Sequence, residues 1–149
     1  MKKVGTYTVR GTFAANKVAK RINVFDGDYT TGYKITRIAI APVDVDNTGA
    51  RNFSLKVMTT PNVDTPEEWN WNNTQEVAWA LFAQDANGIF PQYYFEVDRT
   101  NLIIEDCYII ADEIASSTAS DVNYIIEFDK YELPPYRGSL AIVQNSSQG

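Results

Sequence analysis

The stretch VNYIIEFD at residues 122–129 indicates the fold class, because apolar side chains occupy every second position along it. Successive side chains of a β-strand point to opposite faces, so this spacing is typical of a strand with one buried face. A period of two is far more frequent in the chain than the helical period of 3.6, and the sequence therefore predicts strands. The clearest alternating sets are Val122, Tyr124, Ile126 and Phe128; Phe53, Leu55 and Val57; and Ile22 and Val24.

Two of the predicted strands, at residues 53–57 and 77–82, differ in how much of their surface should be covered. At residues 53–57 the alternate positions hold Ser54 and Lys56, which predicts one face toward solvent. At residues 77–82 both faces are apolar, which predicts a central strand covered on both sides, with Trp79 as a core residue.

Less regular segments predict irregular or peripheral strands. Ile35 falls on the opposite face from Ile38 and Ile40, which indicates a bulge or a two-sided strand. Both faces are apolar at residues 101–112, as in a buried sandwich strand. Short or edge strands are predicted at residues 4–13 and 139–145.

Turn signals separate these runs and set the architecture. They are DGD at 26–28, DVDNTG at 44–49, QDANG at 84–88, SSTAS at 116–120 and PPYRG at 134–138. About eight strands at this spacing predict an all-β, single-domain β-sandwich over residues 1–149, with a jelly roll as the preferred topology. We expect one short helical turn and a short tail after about residue 144.

Composition excludes several classes of function. The net charge of −6 argues against nucleic acid and anionic membranes as partners, because phosphate binding requires clustered lysine and arginine. The chain has no histidine, so Ser-His-Asp and Cys-His catalysis and most zinc sites are excluded. Its one cysteine, Cys107, is expected to be a buried thiol. Without a signal-peptide pattern, folding in a reducing cytoplasm is expected.

The segment TPEE at residues 65–68 offers paired carboxylates with two interpretations. Thr65, Pro66 and Glu68 match a helix-capping box, in which Glu68 reaches back to the backbone of Thr65. A glycosidase instead needs two carboxylates about 5–10 Å apart across a cleft. Since the capping box accounts for Glu67 and Glu68, no catalytic residue is predicted.

Trp69 and Trp71 lie in a long connection from about residue 60 to residue 73. Loops of this length usually perform a function or cover an exposed end of the core. Tryptophan can close a sandwich end, anchor a protein interface or stack on a sugar ring. The first two roles are favoured, and both residues are candidates for an interface or for ligand stacking.

One turn resembles the start of a calcium loop. Asp44, Asp46 and Thr48 stand at alternate positions before Gly49, but Leu55 occupies the twelfth position, where a bidentate glutamate belongs. A solvated turn is the preferred interpretation, and the same holds for DGD at 26–28, where glycine should adopt a positive φ. No metal site and no cofactor is predicted.

Two segments carry a family resemblance. FDGDYTTGYKITRIAIAP at residues 25–42 and EEWNWNNTQEVAWALF at residues 67–82 resemble small β-rich virion proteins of tailed phages that infect marine bacteria and cyanobacteria. The likeness lies in the GYKITRIAIAP strand, the Trp-Asn-Trp turn and the VAWA strand, and it extends over about residues 20 to 130. No catalytic residue can be transferred to this chain from the resemblance.

The resemblance implies a non-enzymatic head-decoration (cement) protein, made in the bacterial cytoplasm and located in the virion. The major capsid protein or other virion subunits would be its partners, and a tail or neck component is the less favoured location. The first strand and the tail SLAIVQNSSQG would be places for contact with neighbours. A homo-oligomer is expected, since small sandwiches expose edge strands. The alternative is a carbohydrate- or receptor-binding module of a tail or fibre, with Trp69 and Trp71 as stacking platforms.

Overall fold

The computed structural model describes residues 1–24, 27, 29–45, 49–61, 66–84, 91–114 and 120–134. These residues form eight strands and no helix, so the predicted all-β class is confirmed. The strands are β1 (Lys2–Ala14), β2 (Lys20–Ile22), β3 (Thr31–Pro42), β4 (Arg51–Met58), β5 (Glu76–Gln84), β6 (Gln92–Val97), β7 (Cys107–Glu113) and β8 (Asp121–Glu132). No helix that could cross a bilayer is found in this described part of the chain.

The strands form two antiparallel sheets that pack face to face, as predicted for a β-sandwich. One sheet has the order β1-β8-β3 and the other the order β2-β7-β4-β5-β6. Pairing is nested in the sequence, because β1 pairs with β8, β2 with β7 and β4 with β5. β6 pairs with β5 and also contacts β3 across the sandwich. The described strands therefore form a β-sandwich with β6 at the edge of the five-stranded sheet, whereas the nesting of a jelly roll would place β6 beside β3.

The core lies between the sheets and is built from one face of each long strand. The predicted bulge in β3 is confirmed by a register shift against β8 between Ile35 and Arg37. The extra residue turns Ile35 to the same side as Ile38 and Ile40, and all three are buried. The other large apolar members are Ile22, Val24, Tyr33, Phe53, Leu55, Val57, Val77, Ile103, Ile109, Val122, Tyr124, Ile126 and Phe128.

The segment at residues 101–112 does not form one strand, contrary to the prediction. β7 begins only at Cys107, and Ile103 forms an isolated bridge with Tyr33 at the edge of β3. Two backbone hydrogen bonds make this bridge, at 2.8 Å from the N–H of Tyr33 and 2.7 Å from that of Ile103. The chain therefore leaves the five-stranded sheet and covers part of the β3 edge before it enters β7.

Three other predictions concern peripheral segments. β1 is an edge strand as predicted, but with 13 residues it is not short. Gly27 has a φ of 86°, which confirms the positive φ expected in the DGD turn. The predicted strand at 139–145 and the tail after about residue 144 lie outside the described residues.

The prediction that β4 has a solvent-facing side is wrong. Ser54 and Lys56 are 3% and 0% exposed. They lie on the face opposite Leu55 and Val57, which point into the core, so their side is the outer face of the five-stranded sheet. Residues 66–75 cover that outer face, and the cover creates the site described next.

Candidate functional site: an aromatic surface above a buried ion pair

The site is the segment of residues 66–75, here called the tryptophan loop, together with the strand surface beneath it. It leads into β5 and lies over the outer face of β4 and β5, where Lys56 and Trp79 are direct cross-strand neighbours. Cross-strand pairs on one face are close enough to contact each other. The loop thus has a charged residue and an aromatic residue beneath it.

A buried ion pair joins β4 to the start of β5. The Nζ atom of Lys56 lies 3.2 Å from Oε2 of Glu76, and both side chains are fully excluded from solvent. Lys56 Nζ also donates to the backbone carbonyl of Glu68 at 3.0 Å. Burying two charges costs several kcal/mol per ion unless geometry and further hydrogen bonds compensate. Here the compensation comes from the tryptophan loop itself.

The second carboxylate oxygen of Glu76 fixes two more groups. Its Oε1 atom accepts from the backbone N–H of Asn70 at 3.0 Å and from the indole N–H of Trp79 at 2.9 Å. The carboxylate of Glu76 therefore binds Lys56, the backbone of the tryptophan loop and the indole of Trp79. Hydrogen bonds to a charged group contribute about 1.5–3 kcal/mol each, more than neutral ones.

Ser54 on the same face holds the beginning of the loop. Its hydroxyl donates to the carbonyl of Pro66 at 2.6 Å and accepts from the indole N–H of Trp69 at 3.2 Å. This fixes both the backbone at Pro66 and the ring of Trp69.

The predicted short helical turn at residues 65–68 is absent where the structure describes the chain. Pro66 and Glu67 form only a turn. In an α-helix the N–H of Asn70 would donate to the carbonyl of Pro66. Here that N–H donates to Glu76, and the carbonyl accepts from Ser54. Buried partners on the sheet thus replace the helical bond, and Thr65, the predicted cap, lies outside the described residues.

Glu67 forms an ion pair with Lys17, which lies in the connection between β1 and β2. Lys17 Nζ lies 3.3 Å from Oε1 of Glu67 and 3.8 Å from Oδ2 of Asp112. Lys17 itself has a φ of 64° and donates its N–H to the carbonyl of Ala111 at 2.9 Å. The first turn of the loop is therefore linked to the β1–β2 connection and to β7.

The asparagines of WNWNN shape the rest of the loop. The Oδ1 of Asn70 accepts from the N–H of Asn72 at 3.1 Å, and the Oδ1 of Asn73 accepts from the N–H of Gln75 at 3.0 Å. These contacts are Asx turns, in which a side chain bonds the backbone two residues on. Backbone bonds of 3.0 Å from Asn73 to Asn70 and from Glu76 to Asn73 complete the loop.

The rings above this scaffold form an aromatic patch, defined by Trp69, Trp71, Trp79 and Tyr94. Trp69 lies 6.0 Å from Tyr94 between ring centroids, and Trp71 packs edge-on against Trp79 at 5.9 Å. Trp71 is 61% exposed and Tyr94 is 44% exposed. The patch therefore presents large apolar rings to solvent on a fixed support.

The three tryptophans lie partly where the sequence predicts and partly elsewhere. The burial of Trp79 is confirmed, but the residue lies on the outer sheet face beneath Trp71 and not between the sheets. Trp69 and Trp71 lie over this same face and not at an end of the sandwich. Tyr94 was not predicted from the sequence, and its signal is the aromatic run at residues 93–95.

The remaining chemical candidates lie away from the patch. Cys107 is buried as predicted, and burial followed by the charge of Asp106 raises the pKa of its thiol to about 12. Among the described residues no three His, Cys, Asp or Glu side chains cluster as metal ligands. Asp44 accepts a hydrogen bond from Arg51 through its backbone carbonyl at 3.3 Å. The other predicted calcium-loop positions, 46 and 48, lie outside the described residues.

No protein-family profile matches the chain, and no curated protein matches it significantly.

Proposed function

We propose that the protein is a non-enzymatic structural subunit of a phage particle, a head-decoration protein that attaches to the major capsid protein or to another virion subunit through the aromatic patch. The observation that carries the proposal is the exposed ring of Trp71 on a buried, hydrogen-bonded support. Tryptophan and tyrosine are enriched among the residues that dominate the binding energy of protein interfaces.

The support makes the patch suited to adhesion. Binding costs free energy when mobile side chains and loops must be ordered, and a surface that is ordered beforehand avoids part of this cost. Glu76, Ser54 and the two Asx turns order the tryptophan loop in the free chain. The rings of Trp69 and Trp71 are thus fixed before a partner arrives.

The assignment to a virion comes from the resemblance, because a fold alone does not define a function. The β-sandwich agrees with it, because sandwiches of the jelly-roll type occur in viral capsid proteins and also in lectins. Capsid decoration is preferred to a tail or neck location on the resemblance only.

The second candidate is a carbohydrate- or receptor-binding module. It is favoured by one observation, the exposed indole of Trp71 next to the exposed Asn72. Sugar recognition needs stacking together with several hydrogen-bonding groups. In the tryptophan loop the amide oxygens of Asn70 and Asn73 are already engaged by the backbone, which leaves fewer groups for a sugar.

Quantitative analysis of purified particles tests the proposal. We expect the protein in a fixed ratio to the major capsid protein, and on the shell in particles whose tails have been removed. A protein that is absent from particles, or that leaves with the tails, contradicts the proposal. Saturable binding to a glycan array that Trp71→Ala abolishes would support the second candidate instead. The homo-oligomer stays a prediction, and sedimentation velocity can measure the oligomeric state.

A further inference from the structure

Carboxylates flank the aromatic patch on both sides of the outer sheet face. On the β7 side, Asp112 is the cross-strand neighbour of Ser54, which lies beneath the tryptophan loop. On the β6 side, Glu96 is the cross-strand neighbour of Trp79, and Tyr94 precedes it by two residues on the same face. Such cross-strand neighbours have Cβ atoms about 4.5–5.5 Å apart. The rings of the patch therefore have a carboxylate on either side.

The negative charge on the β7 side is only partly neutralised. Lys17 Nζ lies 3.3 Å from Oε1 of Glu67 and 3.8 Å from Oδ2 of Asp112, so one lysine serves two carboxylates. Beneath the loop, Lys56 and Glu76 neutralise each other, and both are fully buried. These five side chains together thus leave one net negative charge beside the patch.

Glu96 is exposed, and no lysine or arginine of the described residues lies within ion-pair distance of it. Its carboxylate accepts a hydrogen bond from the N–H of the next residue, Val97, at 3.1 Å. Arg99 lines a cleft together with Glu96 but does not form an ion pair with it. Residues 59–75 and 85–91, on either side of β5 in the chain, contain no lysine or arginine. An uncompensated carboxylate therefore stands next to the exposed rings.

Exposed aromatic rings beside an uncompensated carboxylate favour arginine as the contacting residue. A guanidinium is attracted to the face of a tryptophan or tyrosine ring within about 6 Å, and its planar fork also pairs with a carboxylate. Arginine is enriched at protein interfaces together with tryptophan and tyrosine. An acidic partner surface would instead be repelled by the carboxylates around the patch. Charge complementarity thus defines the chemistry of the partner.

We propose that the surface bound by the aromatic patch on a neighbouring virion subunit is basic, and that an arginine of this surface packs on an exposed ring of the patch and pairs with Glu96. The inference rests on the proposed attachment through the patch and adds the chemistry of the partner. The remaining negative charge at Glu67 and Asp112 attracts the same basic surface from the β7 side.

Titration of particles that lack the protein tests the proposal with a matched pair of variants. Glu96→Gln removes the charge beside the rings. Glu132→Gln removes an equal charge from an exposed residue of β8, on the other sheet. Glu96→Gln should weaken attachment about threefold to fivefold, as loss of an exposed ion pair does, and Glu96→Lys about tenfold. Glu132→Gln should attach like wild type, and all three variants should keep the wild-type circular dichroism spectrum.

A peptide probe tests the same site without particles. The probe is a glycine–serine peptide with two arginines, and its control carries citrulline, the uncharged isostere, at both positions. The indole N–H signal of Trp71, identified by its loss in Trp71→Ala, reports binding by NMR. The arginine peptide should give a saturable shift at millimolar concentration and bind about fivefold more tightly than the citrulline peptide. Glu96→Gln and 0.5 M NaCl should each remove most of this difference.

The basic partner and the attachment through the patch can fail separately. If Trp71→Ala weakens attachment to particles while Glu96→Gln and Glu132→Gln attach alike, the attachment stands and the basic partner is wrong. Equal binding of the arginine and citrulline peptides also overturns the inference, because it indicates an uncharged partner. Wild-type attachment of Trp71→Ala would overturn the proposed function and this inference together.

Discussion

Lys56 is fully buried, and its partners include Glu76 at the start of β5 and Glu68 in the tryptophan loop. Glu76 neutralises its charge, and the carbonyl of Glu68 accepts a further hydrogen bond. Removing one member of such a pair leaves the other charge buried without compensation, which costs more than the net contribution of the intact pair.

Lys56→Met should therefore lower the free energy of unfolding by about 3–5 kcal/mol. Urea denaturation followed by circular dichroism measures the loss. The double variant Lys56→Met with Glu76→Gln should be more stable than the sum of the two single effects predicts, because it removes both charges. Strictly additive effects would show that the two side chains are not coupled.

This residue also shows what the sequence could not reveal. Lys56 alternates with Leu55 and Val57, so its exposure was the reasonable prediction. Its partner Glu76 is 20 positions away, and only the folded loop brings the two together. Alternation reports which residues share a face of a strand, but it does not report whether a loop covers that face.

Cys107 should make stability depend on alkaline pH. Its pKa is raised from 9.0 to about 12 in the folded chain, chiefly by burial. Between these values the unfolded thiol ionises and the folded one does not, so stability falls as pH rises, by up to about 1.4 kcal/mol per pH unit. Below pH 9 this contribution is constant.

Cys107→Ala measures the effect, because other groups that titrate above pH 9 are common to both proteins. The difference in unfolding free energy between wild type and variant should be constant up to pH 9 and should then shift against the wild type. A difference that stays constant up to pH 11 would contradict a raised pKa.

At the scale of elements, close packing explains one glycine of β1. A Cβ atom at Gly11 would lie 2.9 Å from the hydroxyl oxygen of Tyr124, its cross-strand partner in β8. Gly11→Ala should lower stability by about 1–3 kcal/mol, as overpacking usually does. Adding Tyr124→Phe should recover part of the loss.

Gly5→Ala is the matched control in the same strand, since a Cβ atom there meets nothing within 4 Å. Thermal unfolding of the three variants tests the explanation. Equal destabilisation by Gly5→Ala and Gly11→Ala would mean that loss of glycine itself, and not contact with Tyr124, is responsible.

The sequence predicted strands well and the connections less well. The bulge in β3 followed from the spacing of Ile35, Ile38 and Ile40, because a face change is written directly into the order of residues. The helical turn predicted after Thr65 is absent from the described residues for a different reason. Ser54 and Glu76 take the backbone groups that a helical turn would use, and such long-range competition leaves no local pattern.

At the scale of the whole molecule, the two sheets carry different surfaces. The five-stranded sheet bears the aromatic patch on its outer face, and in the three-stranded sheet β1 is the outermost of the described strands. The hydrophobic core lies between the two sheets, as in other all-β sandwiches.

The central claim is that the aromatic patch attaches the protein to its particle. Its most direct test is a titration. Wild type, Trp71→Ala and Tyr29→Ala are each added to particles that lack the protein, and the bound protein is quantified after sedimentation. Tyr29 is the control because it is an aromatic residue with 44% exposure outside the patch.

Trp71→Ala should weaken attachment about thirtyfold, as expected for a residue that contributes 2 kcal/mol or more at an interface. It should leave the circular dichroism spectrum unchanged, and Tyr29→Ala should bind like wild type. Wild-type affinity of folded Trp71→Ala for the particles would contradict the account.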